Sequence, residues 1–316
     1  MNFLNKFLKP LNIQVNKSSS LKNEKNHYEG RIKRLAEFYY DFNDINIESL
    51  NCEISGIVFS KDRAMQLHAL LSSYFHYTKN SAPLKILYTY SNEQHKQAYE
   101  ILHKELDGCP VEFILESDFS LQLTGLIHQL ESDRLFFMTD DGIFLDHYDL
   151  SDCLKFDPLQ NIFSLRLGAD MNFCYTYNRR QDVPVFSTEN ICTWTWNDMK
   201  DSPDWIYPLS VDATIFCKKE VEMILDHISF KSPNSLESQM QLYNDLFVQR
   251  KGVCFSKVKY VNIPCNIVQN EFDNISTGTF SVTELAQRFL DGKRINWSML
   301  ENYKARDAQI VKFTFV

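Results

Sequence analysis

No run of apolar residues in the 316-residue sequence approaches the roughly 20 that a membrane-spanning helix requires, so nothing in it points to transmembrane insertion. Its eight cysteines (Cys52, Cys109, Cys153, Cys174, Cys192, Cys217, Cys254 and Cys265) include no C-x-x-C pair, and several stand inside apolar runs. That spacing argues against a structural zinc site and against a disulfide framework. No secretory signal is recognisable at the start of the sequence, and with these thiols that leads us to expect a soluble protein in a reducing, cytoplasmic setting. An excess of positive charge is also missing: 33 Lys and Arg face 41 Asp and Glu, a formal net charge of -8, which argues against bulk nucleic-acid binding. No internal repeat is evident. What is present is 44% apolar and 14% aromatic content, enough for one large core, or for one core and an appendage.

The first 50 residues depart from that average. Lys6, Lys9, Lys17, Lys22, Lys25, Arg31, Lys33 and Arg34 face only Glu24 and Glu29 before residue 35, and Phe3, Leu4, Phe7 and Leu8 add a short apolar stripe. Two readings stand side by side: an amphipathic segment in peripheral contact with an anionic membrane at its inner face, or a frayed basic tail. Residues 17–25, rich in Ser, Lys and Asn, read as a flexible linker. Residues 1–50 are therefore expected to be a basic extension carrying a short helix.

From residue 53 short apolar runs alternate with helix-period segments, the pattern of βαβ units in an α/β fold with a mainly parallel sheet. Gly56-Ile57-Val58-Phe59 reads as a first strand. Leu67, Leu70, Leu71 and Tyr74 then recur at i, i+3, i+4 and i+7, the spacing of a helix packed on a sheet. Leu84 to Tyr90 reads as a second strand, followed by a capping sequence at Ser91-Asn92-Glu93-Gln94 and a helix ending near Gly108. Val111 to Leu115 is a third strand, and Leu123, Leu126, Ile127 and Leu130 mark the next helix. Leu135-Phe136-Phe137-Met138 is continuously apolar, as a central strand covered on both faces should be. Further on the pattern predicts a strand over Ile162 to Leu167, helices around Val221 to Ile228 and Leu236 to Phe247, a strand over Lys259 to Ile263 and a last helix from Ser281 to about Gly292. Residues 171–210 hold Trp194, Trp196, Trp205 and several tyrosines with few helix signals, and read as a long aromatic loop region.

The central strand runs straight into Thr139-Asp140-Asp141-Gly142. In open α/β sheets ligands bind beyond the carboxyl ends of the strands, and two adjacent carboxylates there repel unless a cation joins them. Mg²⁺ and Mn²⁺ combine one or two carboxylates with substrate phosphate oxygens. Asp-Asp-Gly is equally an ordinary turn sequence; its position after three βα units is what favours a site.

The order of a strand ending in Phe59-Ser60-Lys61-Asp62-Arg63, two further βα units and then Thr139-Asp140-Asp141 resembles the GT-A class of nucleotide-sugar glycosyltransferases. The resemblance covers roughly residues 53–270, and Thr139 stands in place of the first carboxylate of that class's D-x-D motif. It implies a Rossmann-like, mixed but mainly parallel sheet, with residues 51–145 as a nucleotide-binding half, 146–270 as an acceptor half and 271–316 as a helical C-terminal extension. It implies Mn²⁺ or Mg²⁺ bound by Asp141 and Asp140, with Thr139 and Asp140 also near the ribose. Phe59, Ser60, Lys61 and Arg63 would line the nucleotide pocket. Arg63 would stack on a base or bridge phosphates, or else pair with Asp62 at the surface. Arg166, in an apolar setting where a lone charge is costly, would meet the donor phosphates or Asp140, or form a structural ion pair.

Residues 207–216 and 232–238 resemble the acceptor half of the same class. There a carboxylate at a helix start removes the acceptor hydroxyl's proton in inverting members; Glu237 is the first candidate and Asp212 the second. Asn234-Ser235-Leu236-Glu237 also has the form of a capping box, so a capping role for Glu237 stays open. Trp194, Trp196 and Trp205 are candidates for an acceptor-sugar platform, or are core. The resemblance also implies a histidine from the C-terminal part as a further metal ligand, but no histidine follows His227; Gln269 or Asn270 would offer an oxygen there, or else belong to a loop. The implied activity is transfer of a sugar from a nucleotide diphosphate, a UDP-sugar being favoured, to a glycan or lipid-linked hydroxyl acceptor with inversion. A nucleotidyltransferase would open with a glycine-rich loop where Ser60-Lys61-Asp62-Arg63 stands, and dehalogenase-type phosphatases carry their aspartates on the first strand. A noncatalytic nucleotide- or glycan-binding module remains the alternative from another class.

Overall fold

The computed structural model describes residues 29–30, 32–38, 53–185, 190–268, 278–301, 303–310 and 312–316. The apolar stripe of residues 3–8, the linker of residues 17–25 and the candidate ligands Gln269 and Asn270 lie outside them. The chain divides into two compact units, residues 1–44 and 45–316. In the first, residues 32–38 are helical, with Lys33 and Glu37 paired at i,i+4 across 3.5 Å at the surface. Among the described residues no helix is long and apolar enough to cross a membrane, and Cys109, Cys153, Cys174, Cys192, Cys217, Cys254 and Cys265 are free thiols.

The second unit is a mixed α/β fold. Its strands of three or more residues, among those described, are β1 (Ile54–Lys61), β2 (Leu84–Thr89), β3 (Val111–Leu115), β4 (Arg134–Thr139), β5 (Gly142–Phe144), β6 (Asn161–Ser164), β7 (Ile191–Thr195), β8 (Thr214–Cys217), β9 (Lys251–Phe255) and β10 (Tyr260–Asn262), and the two-residue strands Phe173–Cys174 and Arg179–Arg180 form a small antiparallel hairpin. Eight of them, among the described residues, form one sheet in the order β7-β9-β6-β8-β4-β1-β2-β3. The block β4-β1-β2-β3 is parallel throughout, while β8 runs antiparallel between β4 and β6.

Why β4 sits at the centre follows from its side chains. Leu135, Phe136, Phe137 and Met138 are all fully buried. Phe136 faces Tyr74 of helix α1 (Ala64–Tyr77), with centroids 6.2 Å apart. On the other face Phe137 stacks on Phe59 at 5.5 Å, which in turn meets Phe119 of α3 (Phe119–Gln129) at 5.2 Å; α2 (Glu93–Glu105) lies between them in sequence. Each such ring contributes about 1.5–3 kcal/mol on burial. The apolar run therefore needs cover on both faces, and the βα crossovers supply it.

Strand register assembles what lies beyond β4. Phe59 pairs with Thr139 and Phe136 with Ile215, so the residues before β8 come level with those after β4. The Ala213 amide donates to the Phe137 carbonyl at 2.7 Å, and Ala213 itself adopts a left-handed φ of 52°. Strand β5 pairs with β10 so that Asn262 stands opposite Gly142. A methyl group at position 142 would lie 2.2 Å from the Tyr260 hydroxyl, which explains the glycine of Asp-Asp-Gly by close approach rather than by turn conformation.

The structure differs from the sequence reading in three places. The aromatic region contains strand β7, and β9 pairs with it where no strand was expected. The helix expected from Leu236 to Phe247 breaks into α5 (Pro233–Met240), a 3-10 turn over Gln241–Tyr243 and a short turn of helix over Asn244–Phe247; α4 (Lys218–Leu225) precedes it. The final helix α6 (Val282–Leu290) packs on α2 and α1 within the same unit.

The Gly142→Ala substitution should cost about 1–3 kcal/mol by overpacking against Tyr260, lowering the melting temperature by several degrees. A thermal melt followed by circular dichroism checks it, and an unchanged midpoint would mean that the Tyr260 ring moves aside freely.

Candidate active site

Beyond the carboxyl ends of β1 and β4 opens a cavity of about 770 Å³ whose wall includes Ser60, Arg63, Asp141, Asp212 and Glu237. These residues come from distant parts of the chain, and the strand register described above brings them together. Phe59, Lys61, Thr139, Asp140 and Arg166 also line it.

Asp140 is buried and its carboxylate is fully engaged. It accepts from Ser60 Oγ at 3.0 Å, from the Lys61 amide at 3.0 Å and from Arg63 Nη1 at 3.0 Å. Burial lifts its pKa to about 6, with Arg63 opposing the rise. Arg63 is buried in turn: Nε donates to Asn266 Oδ1 at 2.8 Å, Nη2 donates to the Asn266 carbonyl, and Nη1 also lies 3.5 Å from Asp141 Oδ2. Burial works against that charge, but Asp140 and Asp141 outweigh it and hold the guanidinium protonated.

Two expectations change here. Arg63 does not pair with Asp62, whose carboxylate instead accepts from the amide and hydroxyl of Ser91 at 2.7 and 2.6 Å. Asp140, expected as a metal ligand, has its oxygens occupied by three donors and serves as a buried tie. Phe59 lines the cavity wall with its ring packed against Phe119 and Phe137.

Asp141 and Asp212 converge instead. The Thr139 hydroxyl lies 2.9 Å from Asp141 Oδ1 and 2.8 Å from Asp212 Oδ1, and Asn262 Nδ2 lies 3.2 and 3.4 Å from the same two atoms. One hydroxyl hydrogen cannot serve both carboxylates at once. Burial raises the Asp212 pKa, Arg166 opposes it, and Asp141 adds to the rise. Asn262 Oδ1 is buried without a hydrogen-bond partner. Among the described residues no three His, Cys, Asp or Glu side chains gather as a metal cage. The oxygens of Asp141, Asp212, Thr139 and Asn262 are nonetheless all hard donors, and two carboxylates are what a Mg²⁺ or Mn²⁺ ion that also takes phosphate oxygens requires.

Glu237, which also lines the cavity, sits one turn into α5. Its cap role is already filled, because Ser232 Oγ accepts from the Ser235 amide at 3.2 Å and Ser235 Oγ accepts from the Ser232 amide at 2.9 Å. The Glu237 carboxylate accepts a backbone bond from the Val211 amide at 3.1 Å. Burial first, and the neighbouring Asp212 charge second, push its pKa up to about 7.

Arg166 lies just past β6 and pairs with Asp204 at 3.0 Å rather than with Asp140. Asp204 Oδ2 accepts from Gln181 Nε2 at 2.9 Å, closing a polar chain along the wall. The tryptophans are core, not platform: Trp194 is 6% exposed and Trp196 and Trp205 are fully buried. Trp194 meets the other two edge-on at 4.7 and 4.9 Å, and none reaches the cavity. Besides Phe59 and Phe119, the aromatic residues that line it are Tyr175, Tyr177 and Tyr207, none of them expected from the sequence. Sequence reasoning missed these along with Asn262, Asn266 and Asp204. The signal for Asn262 was a lone amide inside the apolar strand Tyr260-Val261-Asn262-Ile263.

A mixed, largely parallel sheet with carboxylates gathered beyond its central strands is the architecture of the GT-A type of glycosyltransferase. Sequence comparison points to the same class. The chain is 30% identical over 283 aligned residues to the bifunctional glycosyltransferase pgtA of Dictyostelium discoideum, an alignment covering 76% of this chain and 36% of that protein. The chain thus spans about a third of the length of the curated relative it matches. No family model matches the sequence. Among solved structures, S. aureus TarS residues 1–349 in complex with UDP-GlcNAc overlaps with a TM-score of 0.43 at 15% identity, covering 72% of this chain and 61% of that one. The bifunctional WbbM apo structure overlaps at 0.34 and 10% identity, covering 63% and 38%, and the nucleotidyl transferase Mth528 of Methanothermobacter thermautotroptrophicus at 0.36 and 9%, covering 65% and 88%.

Removing the buried cation by Arg63→Met leaves Asp140 buried and unpaired, at an expected cost of about 3–5 kcal/mol near neutral pH. Without Arg63 the Asp140 pKa rises further above its ordinary 3.8, so the folded state holds that proton more tightly than the unfolded chain. The deficit should therefore shrink as pH falls from 8 to 5. Denaturant unfolding at both values measures it, and a pH-independent deficit would contradict the assignment.

Proposed function

We propose that the chain transfers a glycosyl group from a nucleotide-diphosphate sugar to a hydroxyl acceptor, with inversion at the anomeric carbon. The observation that carries this reading is Glu237: a carboxyl whose pKa is pushed up to about 7 in the same cavity that Asp141 lines. Kinship with a glycosyltransferase over 76% of the chain supports it.

Glu237 would accept the proton of the acceptor hydroxyl as that oxygen attacks the anomeric carbon, while the bond from that carbon to the diphosphate oxygen breaks and the diphosphate leaves. An alcohol needs such a base within hydrogen-bond reach, and a base with a pKa near the working pH contributes about 10²- to 10⁴-fold. Asp141 and Asp212 are the residues that would hold a Mn²⁺ or Mg²⁺ ion, whose chemistry would be to offset the charge growing on the leaving diphosphate. Arg63 keeps the Asp140 end of the strand neutralised and so leaves Asp141 facing the cavity. Arg166, pinned by Asp204, stabilises charge on Asp212 and Glu237 through space. The hydroxyl of the acceptor would enter from the side of Tyr177 and Tyr207.

A thermal-shift panel of UDP-, GDP-, CMP- and dTDP-sugars with and without Mn²⁺ tests donor binding. One nucleotide should stabilise the wild type only with metal, and Asp141→Ala should lose the response; equal shifts in both proteins sink the donor site. Glu237→Gln should keep donor binding and lower kcat about 10²-fold or more. The wild-type rate should rise with pH through about 7 as Glu237 loses its proton. Because that proton is held in the folded state above the ordinary 4.5, stability should fall as pH rises from 4.5 to about 7, and Glu237→Gln should flatten that fall. Donor binding without turnover in the wild type would mean a binding module instead of an enzyme.

A further inference from the structure

The hairpin that lines the reaction cavity with Cys174, Tyr175, Thr176 and Tyr177 also lines a second depression of about 780 Å³. There its residues Arg179 and Arg180 stand with Arg306 of the C-terminal segment. The register fixes this double role: Arg179 pairs with Cys174 and Arg180 with Phe173 across the hairpin.

The three guanidinia are positioned, yet little of their charge is used. Arg306 lies 5.1 Å over the Phe173 ring, and its main-chain carbonyl accepts from the Phe173 amide at 3.0 Å. Its Nε is 3.7 Å from Asp307. Arg179 donates to the Asp201 carbonyl at 3.2 Å and lies 5.8 Å over Tyr177. Among the described residues neither Arg179 nor Arg180 has a carboxylate within ion-pair reach. Asp182 and Asp201 share the lining and Asp307 takes up Arg306, so the cations left over for a ligand are Arg179 and Arg180.

The floor of this depression is joined to the reaction cavity by bonded side chains. Gln181 Nε2 donates to Asp204 Oδ2 at 2.9 Å, Gln181 Oε1 accepts from the Asp204 amide at 3.1 Å, and Asp204 Oδ1 accepts from Arg166 at 3.0 Å. Gln181 lines the depression; Asp204 and Arg166 line the cavity. One rigid partition thus separates the two.

We propose that this depression binds a phosphate group carried by the acceptor, one hairpin away from the hydroxyl that reacts. Guanidinium forks match the several oxygens of a phosphate dianion, and three around one hollow exceed what a single carboxylate would use. Naming the ligand's carrier as the acceptor rests on the glycosyl-transfer reading above; the phosphate site itself does not.

The test is a titration of inorganic phosphate, at constant ionic strength, into ¹⁵N-arginine-labelled wild type, Asp141→Ala, and the combined Arg179→Gln, Arg180→Gln, Arg306→Gln variant. The guanidinium Nε–H resonances are followed and assigned by the single variants. Saturable shifts of these three signals in the wild type and in Asp141→Ala are expected. The combined variant, with its melting temperature unchanged, should bind at least tenfold more weakly, and acetate at the same ionic strength should leave the signals in place. No saturable shift in the wild type, undiminished binding in the combined variant, or an equal response to acetate overturns the proposal. If phosphate binds as expected but no nucleotide-sugar stabilises the wild type, the glycosyl-transfer reading fails and the phosphate site stands. The reverse result removes the site and leaves that reading intact.

Discussion

A guanidinium withdrawn from water must find its compensation in the fold, and Arg63 finds it in two distant segments at once. Asp140 at the end of β4, Asp141 beside it and both side chain and backbone of Asn266 all turn toward this one head group. Coulomb attraction in such a setting offsets the desolvation only when the geometry and the remaining hydrogen bonds are complete. Here Ser60 and the Lys61 amide fill the positions on Asp140 that Arg63 leaves, and the Tyr99 hydroxyl holds Ser60 in turn. The turn after β1, the end of β4 and the segment after β10 are thereby fixed relative to each other, and the cavity wall is built from those three pieces.

With Asp140 neutralised, the unspent negative charge of the region lies in Asp141, Asp212 and Glu237. Burial first, and a neighbouring carboxylate after it, raise the pKa of Asp212 and of Glu237. At Asp212, Arg166 and the bonds from Thr139 and Asn262 oppose the rise to which Asp141 adds, and the Asp212 charge in turn adds to the rise at Glu237. A pocket organised in this way carries its own demand for a cation on one side and a labile proton on the other. Both demands arise from the same acidic excess, so the two halves of the proposed chemistry are electrostatically linked.

Much of the parallel half of the sheet could be read from the sequence, because β1, β2, β3 and β4 are local apolar runs separated by helix-period segments. Asp140 and Asp141 could be singled out for the same reason, because they follow such a run; Asp212 and Glu237 were candidates only through the resemblance of residues 207–216 and 232–238 to the acceptor half of GT-A enzymes. Pairing was not legible. Whether Arg63 meets Asp62 or Asp140 depends on a positive φ at Asp62 that turns its side chain toward Ser91. The burial of Trp194 depends on β7 lying against Gly252, where a methyl group would come within 2.2 Å of the indole. Neither contact leaves a local trace, since both join residues that only the assembled sheet makes neighbours.

Ala213 carries a further implication. Its methyl group is fully buried and its backbone sits at φ 52°, a conformation that costs an L-residue about 1 kcal/mol or more and is retained only when the surroundings dictate it. Bonds to the Phe137 carbonyl and from the Leu165 amide supply that dictation. The peptide joining Asp212 to β8 is thus clamped from two neighbouring strands, and the carboxylate beside it inherits an aim that a relaxed loop would let drift. The molecule surrenders some backbone comfort at one point and gains a fixed bearing for the acid next door.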